Sequence, residues 1–262
     1  MNSQSQSQDS SNSPHSPPWK HVWITGASSG LGEYTARLLA DQGCIVSISA
    51  RRIEQLETIA KDSPNIFAYP VDVTDAEAVK TVAAQAETDH GPIDLAMFSA
   101  GAWFPGSIQD MRVENFAKTL NVNVLGVAHG MDAVLPQMLE RSSGHISWIS
   151  SVAGYVGLPN SAAYSASKSA LISLAESVHG ELQQKGIAVS VINPGFVRTQ
   201  LTDKNKFPMP FLMEPEPAAE KIVAGLKRKK FEIAFPWQMV LILKTLRILP
   251  YWLSLALMKR MV

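Results

Sequence analysis

Residues 21–32 read His-Val-Trp-Ile-Thr-Gly-Ala-Ser-Ser-Gly-Leu-Gly. The first five are β-branched or aromatic with one histidine, a composition that suits a strand. The remainder, Gly26-Ala27-Ser28-Ser29-Gly30-Leu31-Gly32, places three glycines in seven positions and runs into residues 32–42, where Tyr34, Leu38 and Leu39 fall on one helical face. A glycine-rich turn by itself is weak testimony, because a tight turn alone would explain it. Between a strand and a helix the same spacing has a use. Gly26 permits the turn, Gly30 lets the backbone approach a pyrophosphate, and Gly32 allows the helix to pack closely on the strand. The helix start then offers N–H groups and the positive end of its dipole to the phosphates. Ser28, Ser29 and Leu31 complete the predicted cradle.

Outward from this loop, strand-like runs at 21–25, 45–49, 66–69, 95–99, 145–149, 188–192 and 231–235 alternate with helical patterns such as 32–42, 53–61 and 74–89. Alternation of this kind predicts a single α/β domain over residues 19–236. Its core would be a parallel seven-stranded sheet, doubly wound in the Rossmann manner, with helices on both faces and right-handed crossovers. Residues 1–18, rich in Ser, Gln, Asn and Pro without an apolar stretch, read as a disordered leader rather than a signal peptide. Residues 204–217 hold four prolines and read as a mobile loop, a candidate substrate wall with an apolar set of Phe207, Met209, Phe211, Leu212 and Met213. Packing would use those side chains equally well.

The end of the second strand speaks to the cofactor. An acid there would accept hydrogen bonds from a ribose 2′-hydroxyl and repel a 2′-phosphate. The strand ends instead in Ala50-Arg51-Arg52. A guanidinium matches phosphate oxygens with paired, charge-assisted hydrogen bonds, so NADP(H) is the predicted cofactor. The alternative is that both arginines are solvated charges leading a helix.

A second group carries the chemistry. Ser151 follows a strand, and thirteen residues later comes Tyr164-Ser165-Ala166-Ser167-Lys168. Residues four apart share a helix face, which sets the Tyr164 phenol beside the Lys168 ammonium. A phenol of ordinary pKa near ~10 is a poor acid–base group at neutral pH, and an adjacent cation is expected to lower it. Ser151 at a strand end is placed to hold a carbonyl oxygen beside the phenol. Taken alone, Tyr-x-x-x-Lys is most often an ordinary surface pair.

In order along the chain stand the 25–32 loop, Asp72-Val73, Ala100-Gly101, Asn123-Val124-Leu125-Gly126, Ser151, Tyr164 with Lys168, and Asn193-Pro194-Gly195 with Thr199. This series resembles the short-chain dehydrogenases/reductases, in their NADP-preferring branch, over residues 20 to about 235. The resemblance implies that Tyr164 is the general acid/base and that Ser151 orients the substrate oxygen. It implies also that Lys168 binds nicotinamide-ribose hydroxyls and that Asn123 holds a water in a proton relay. Asp72, Val73, Ala100, Gly101, Pro194, Gly195 and Thr199 join the loop and the arginines as cofactor contacts. One departure stands out: the family usually has Asn-Asn-Ala-Gly where this chain has Phe98-Ser99-Ala100-Gly101. That puts local hydrogen bonding in question rather than catalysis. The implied activity is NADPH-dependent reduction of a ketone or aldehyde, reversibly, by a homodimer or homotetramer. A non-catalytic NADP-binding regulator or scaffold on the same fold is the alternative.

Composition bounds the partners. The chain is neutral overall, which gives no ground for nucleic acid as a partner, and no metal is expected. Cys44 is the only cysteine, so no intrachain disulfide forms and a reducing, cytoplasmic setting is expected. Charge is nevertheless uneven: from Lys227 onward eight basic residues face the single acid Glu232, a net +7 that leaves −7 elsewhere. Residues 237–262 are strongly apolar, interrupted by Lys244, Arg247 and Pro250, and their longest uncharged run is too short to span a bilayer. Pro250 should divide this tail into two short helices. Three uses remain open for it: an anionic membrane surface, a subunit interface, or a flap over the substrate pocket.

Overall fold

Every one of the seven strand-like runs forms a strand in the computed structural model, which describes residues 18–204 and 208–259. Residues 1–17 of the expected 1–18 leader, positions 205–207 of the proline-rich segment and the last three residues lie outside the described residues. The strands are β1 (His21–Thr25), β2 (Ile45–Ser49), β3 (Ile66–Ala68), β4 (Leu95–Phe98), β5 (Gly144–Ile149), β6 (Ile187–Pro194) and β7 (Glu232–Phe235). Between and after them run α1 (Gly30–Asp41), α2 (Ile53–Lys61), α3 (Ala76–His90), α4 (Val113–Leu120), α5 (Gly126–Glu140), α6 (Ala162–Gln184), α7 (Pro215–Lys227), α8 (Trp237–Ile248) and α9 (Tyr251–Met258). Strand β6 outlasts its β-branched run because Asn193 and Pro194 still have β7 partners, Ala234 and Phe235.

The strands form one sheet in the order β3-β2-β1-β4-β5-β6-β7, with every pairing parallel. After β3 the chain returns to the centre and builds outward the other way. The switch therefore lies between β1 and β4, where doubly wound sheets leave a crevice beyond their strand ends.

The period of two along each strand sorts the core. Val22, Ile24, Leu95 and Met97 face α1, α2 and α7, joined there by Leu39, Leu56 and Ile222. Trp23, Ala96, Phe98 and Trp148 face α3, α5 and α6, against Val79, Val134 and Leu171. Phe98 stands where the family places an asparagine. Its ring packs edge-on against Trp23 at 6.1 Å. The space for that ring comes from Gly130 on α5, whose Cβ would lie 2.3 Å from it. Apolar packing thus occupies the place of the family's polar link.

The proline-rich segment is shorter as a loop than its sequence suggests. Pro215 and Pro217 sit in the first turn of α7, where an absent N–H costs nothing and the fixed φ fits the helix. Upstream, the segment is pinned at its base by the Val197–Met213 bridge and by an Arg198–Glu214 ion pair at 2.9 Å.

The tail divides at Pro250, with Leu249 forced extended at φ −69°, ψ 146° as a residue before proline must be. Among the described residues no helix is long and apolar enough to cross a membrane. Met239 and Leu243 of α8 are buried against Val152 and Tyr155. Trp237, Leu241, Ile242, Ile248, Tyr251, Trp252 and Leu255 remain exposed on the outward face of the two helices.

Candidate active site

The crevice at the switch point is an open cleft of about 500 Å³. Its lining brings together the predicted cradle residues Gly26, Ser28, Ser29, Gly30 and Leu31 with Arg51, Arg52, Asp72, Val73, Ala100, Gly101, Ser151, Tyr164, Pro194, Gly195 and Thr199. Gly32, Asn123 and Lys168 do not line it; they stand behind the wall and shape it.

Backbone contact explains the cradle's glycines. Gly26 has φ +70°, and a Cβ there would lie 2.3 Å from the Ala100 nitrogen, so the loops after β1 and β4 meet through this position. A Cβ on Gly32 would strike the Gly26 carbonyl at 2.6 Å, which fixes how closely α1 packs on its own turn. Ser29, the N-cap of α1, makes no side-chain capping bond. The first-turn N–H groups are therefore free to meet an anion, as at other uncapped helix starts. Arg51 and Arg52 are exposed at the far end of the same cleft. Asp72 is the nearby acid, and it is already engaged. Burial would raise its pKa, but the N–H and hydroxyl of Thr74, at 3.0 and 2.8 Å, and the charge of Arg51 hold it below the usual range. A glycine cradle that a Cβ would fill and an uncapped helix start together fit the pyrophosphate of a nicotinamide dinucleotide.

The reactive end of the cleft is assembled from β5, β6 and α6. Ser151 leaves β5 as the N-cap of a short turn, Val152–Gly154. Its Oγ accepts from the Ala153 N–H at 3.1 Å and donates to the Pro194 carbonyl at 3.3 Å. Tyr164, in the first turn of α6, shares a hydrogen bond with Ser151, and its ring meets Trp103 edge-on at 5.0 Å. Lys168 is buried one turn on, donating to the Ile149 carbonyl at 2.7 Å.

The proximity of Tyr164 and Lys168 follows from their spacing, but the expected acidification of the phenol does not appear. The Lys168 Nζ lies over the Tyr164 ring, 5.4 Å from its centre, with a backbone carbonyl as its partner. Burial pushes the phenol up to about 12, and the Ser151 hydrogen bond only partly offsets this. Burial also brings the ammonium down to about 7. The phenol is accordingly protonated at neutral pH, poised to give a proton rather than take one.

Asn123 sits in a π-helical turn, Asn121–Leu125, that joins α4 to α5. Such turns redirect side chains and recur at functional sites. Its amide NH₂ donates to the Ala102 carbonyl at 3.2 Å and to Ser167 Oγ at 2.9 Å, while Oδ1 accepts from the Ala102 N–H at 2.7 Å. The side chain thus ties the loop after β4 to α6, three residues after Tyr164.

Several lining residues escape a reading of the sequence. Ala102 and Phe104 lie within three residues after Gly101, and Gln200, Leu201 and Thr202 follow Thr199, so continuing those motifs by three residues would have found them. Lys118 on α4 gives no such signal. Phe104 also opens onto a second cavity of about 280 Å³ between residues 104–116 and 158–163, walled by Ile108, Met111, Phe116 and Leu158.

Comparison with known proteins gives the family and agrees on the fold. The family model described as short chain dehydrogenase matches residues 20–208. An oxidoreductase of Myxococcus xanthus, itself without assigned function, is 38% identical over 236 residues, covering 88% of this chain and 93% of its own. A variant of actinorhodin polyketide ketoreductase crystallised with NADPH superposes with a TM-score of 0.77 at 25% identity, covering 85% of this chain and 97% of its own. A short-chain dehydrogenase from Burkholderia phymatum in complex with NAD is alike in fold, with a TM-score of 0.79 at 24% identity over 86% of this chain and 92% of its own. One fold accepts either cofactor, so the preference of a given chain has to be read from its own side chains.

Proposed function

Because the chain belongs to the short-chain dehydrogenase family, and is thereby an oxidoreductase of CH–OH and C=O groups, we propose that it is an NADPH-dependent reductase of apolar, lipid-like ketones or aldehydes. The observation that carries this reading is the convergence of Ser151, Tyr164 and Lys168 at the base of a cleft whose other end presents Arg51 and Arg52. A bound nicotinamide cofactor would supply the hydride. Tyr164 holds the proton that the developing alkoxide needs, and Ser151 offers that oxygen a preorganised hydrogen bond. Lys168 fixes the ribose end, and Asn123 anchors the α6 turn behind them. The reaction is reversible, with the proton returning to Tyr164 in the oxidative direction. Apolar substrates are favoured by the Phe104, Ile108 and Met111 cavity that adjoins the cleft. The test is a panel of ketones graded in chain length and ring size, followed by loss of NADPH absorbance. No turnover of any member would count against the reading and favour a non-catalytic NADP-binding role.

Cofactor preference rests on Arg51, with Arg52 assisting. Arg51→Asp should weaken NADPH binding by about 10- to 100-fold, the value of one or two charge-assisted bonds, and should bring NADH binding level with it or ahead. Titration of both cofactors by tryptophan fluorescence measures this. Equal dissociation constants for NADPH and NADH in the unaltered protein would refute the assignment.

The tail helices support a peripheral membrane reading of a cytoplasmic enzyme, with subunit pairing through the helices that carry Asn123 and Tyr164. The support differs from what an amphipathic basic helix would give, because Lys244 and Arg247 turn inward onto Glu232 and the Tyr155 carbonyl. What faces outward is aromatic and aliphatic: Trp237 is 70% exposed, Trp252 75% and Tyr251 83%, the residue types that settle at a lipid interface. Flotation with vesicles containing phosphatidylserine should carry the protein upward at low salt, and replacing Trp237 and Trp252 by Glu should abolish it. Failure to float at low salt would remove the membrane from the proposal and leave a subunit interface.

A further inference from the structure

Glu232 is the lone acid of the basic C-terminal stretch, and it opens β7 beside the tail. Its carboxylate accepts from the Tyr155 hydroxyl at 2.6 Å and from Asn193 Nδ2 at 3.0 Å, and it pairs with the Lys244 ammonium of α8. Arg247, also on α8, donates to the Tyr155 carbonyl at 2.8 Å. The Lys244 Nζ additionally lies 5.2 Å from the centre of the Tyr155 ring. Tyr155 is therefore held at its hydroxyl, its ring and its backbone, while Met239 and Leu243 of α8 pack against it and Val152.

Both partners of Glu232 within the domain lead straight to Ser151. Tyr155 closes the Val152–Gly154 turn that Ser151 opens. Asn193 precedes Pro194, whose carbonyl receives the Ser151 hydroxyl at 3.3 Å. One carboxylate thus fixes the segment that carries Ser151 and the segment that orients it. Burial would raise the Glu232 pKa, yet the Lys244, Tyr155 and Asn193 donors together hold it below the usual range, so the charge persists at neutral pH. A carboxylate with several donors in a half-buried place makes strong bonds, and removing it strands those donors.

We infer that Glu232 is a positioning residue for the reaction centre, latching α8 to the Tyr155 and Asn193 segments and through them setting where the Ser151 hydroxyl sits. This rests on the reading of Ser151 as the group that orients the substrate oxygen. It makes the tail part of the catalytic architecture, although no tail residue lines the cofactor cleft among the described residues.

The test compares Glu232→Ala, Glu232→Gln and Tyr155→Phe in the full chain. It reads kcat with the best ketone of the panel, KM for NADPH, and hydrogen–deuterium exchange over residues 152–158. Glu232→Ala should lower kcat about tenfold, leave the NADPH KM within twofold, and speed exchange in that segment at least tenfold. Glu232→Gln keeps a carbonyl able to accept from Tyr155 and Asn193, and should recover most of both effects. Tyr155→Phe, which deletes one hydroxyl and keeps the buried ring, should fall between them and guards against a misfolded Ala variant. Unchanged kcat and exchange in Glu232→Ala would overturn the inference, as would a loss of kcat matched by an equal loss of NADPH affinity. If the unaltered enzyme reduces no ketone, the reductase reading has failed separately, and exchange over 152–158 alone decides the latch.

Discussion

Tyr164→Phe should reduce ketone turnover by about 10²–10⁴-fold, the usual worth of a positioned acid–base group, while NADPH binds as before and the domain stays folded. The reason lies in how little the hydroxyl does structurally. The Ser151 hydroxyl beside it keeps its own bonds to Ala153 and Pro194 when the phenol is removed. The ring still packs on Trp103. A loss in kcat without a loss in melting temperature or NADPH affinity separates a proton donor from a packing residue. The pH profile adds a sign. With the phenol up at about 12, Tyr164 remains the acid throughout the neutral range. Lys168, brought down to about 7, loses its charge as pH rises through that value. Since kcat/KM for NADPH reports the free enzyme, it should fall from below pH 7 to above it, and Lys168→Met should flatten the profile at a low level. Retention of most of the turnover by Tyr164→Phe would assign the proton to another group.

The sequence carried the fold in a form that needed no context. Alternating β-branched runs and 3.6-period helices dictate a parallel sheet, and each strand appears where its run lies, because burial on both faces leaves such a run no other stable arrangement. The order of the strands within the sheet, and with it the switch point between β1 and β4, came only with the structure. What could not be read were relations between distant residues. Phe98 in place of an asparagine makes sense only beside Gly130, thirty-two positions on, which gives its ring room. Pro215 and Pro217 looked like loop residues because proline is read locally as a breaker, while at a helix start it is well suited. Tyr164 and Lys168 were legible as a pair, but spacing gave no warning that burial would outweigh charge in setting the phenol. The Glu232 network, joining residues 39 and 77 positions apart, left no pattern in the sequence at all.

Gly26→Ala should be the most damaging single methyl in the cradle. Two costs coincide there: a backbone at φ +70°, which a side chain resists, and a Cβ 2.3 Å from the Ala100 nitrogen with further backbone at 2.4 and 2.6 Å. The first is worth about 1 kcal/mol or more and the second about 1–3 kcal/mol, because backbone cannot swing aside as a flexible side chain would. Together they take roughly 2–4 kcal/mol from a stability of the order of 5–15 kcal/mol, equivalent to a drop of about 5–15 °C in melting temperature for a domain of this size. The displaced loop would also move the α1 start away from Ala100 and Gly101, so NADPH binding should weaken at least tenfold. Gly43→Ala isolates the conformational part: it has φ +91° and nothing within 4 Å of a new Cβ. Gly32→Ala isolates the contact part, since its Cβ meets the Gly26 carbonyl at 2.6 Å with no positive φ to overcome. Calorimetry on the three variants should rank Gly43→Ala as the mildest and Gly26→Ala as the most severe, with loss of NADPH affinity confined to the two cradle positions. A Gly26→Ala protein that melts no lower than Gly43→Ala, and binds NADPH normally, would mean that the loops after β1 and β4 have room to part, and that their close approach is not what shapes the cofactor cleft.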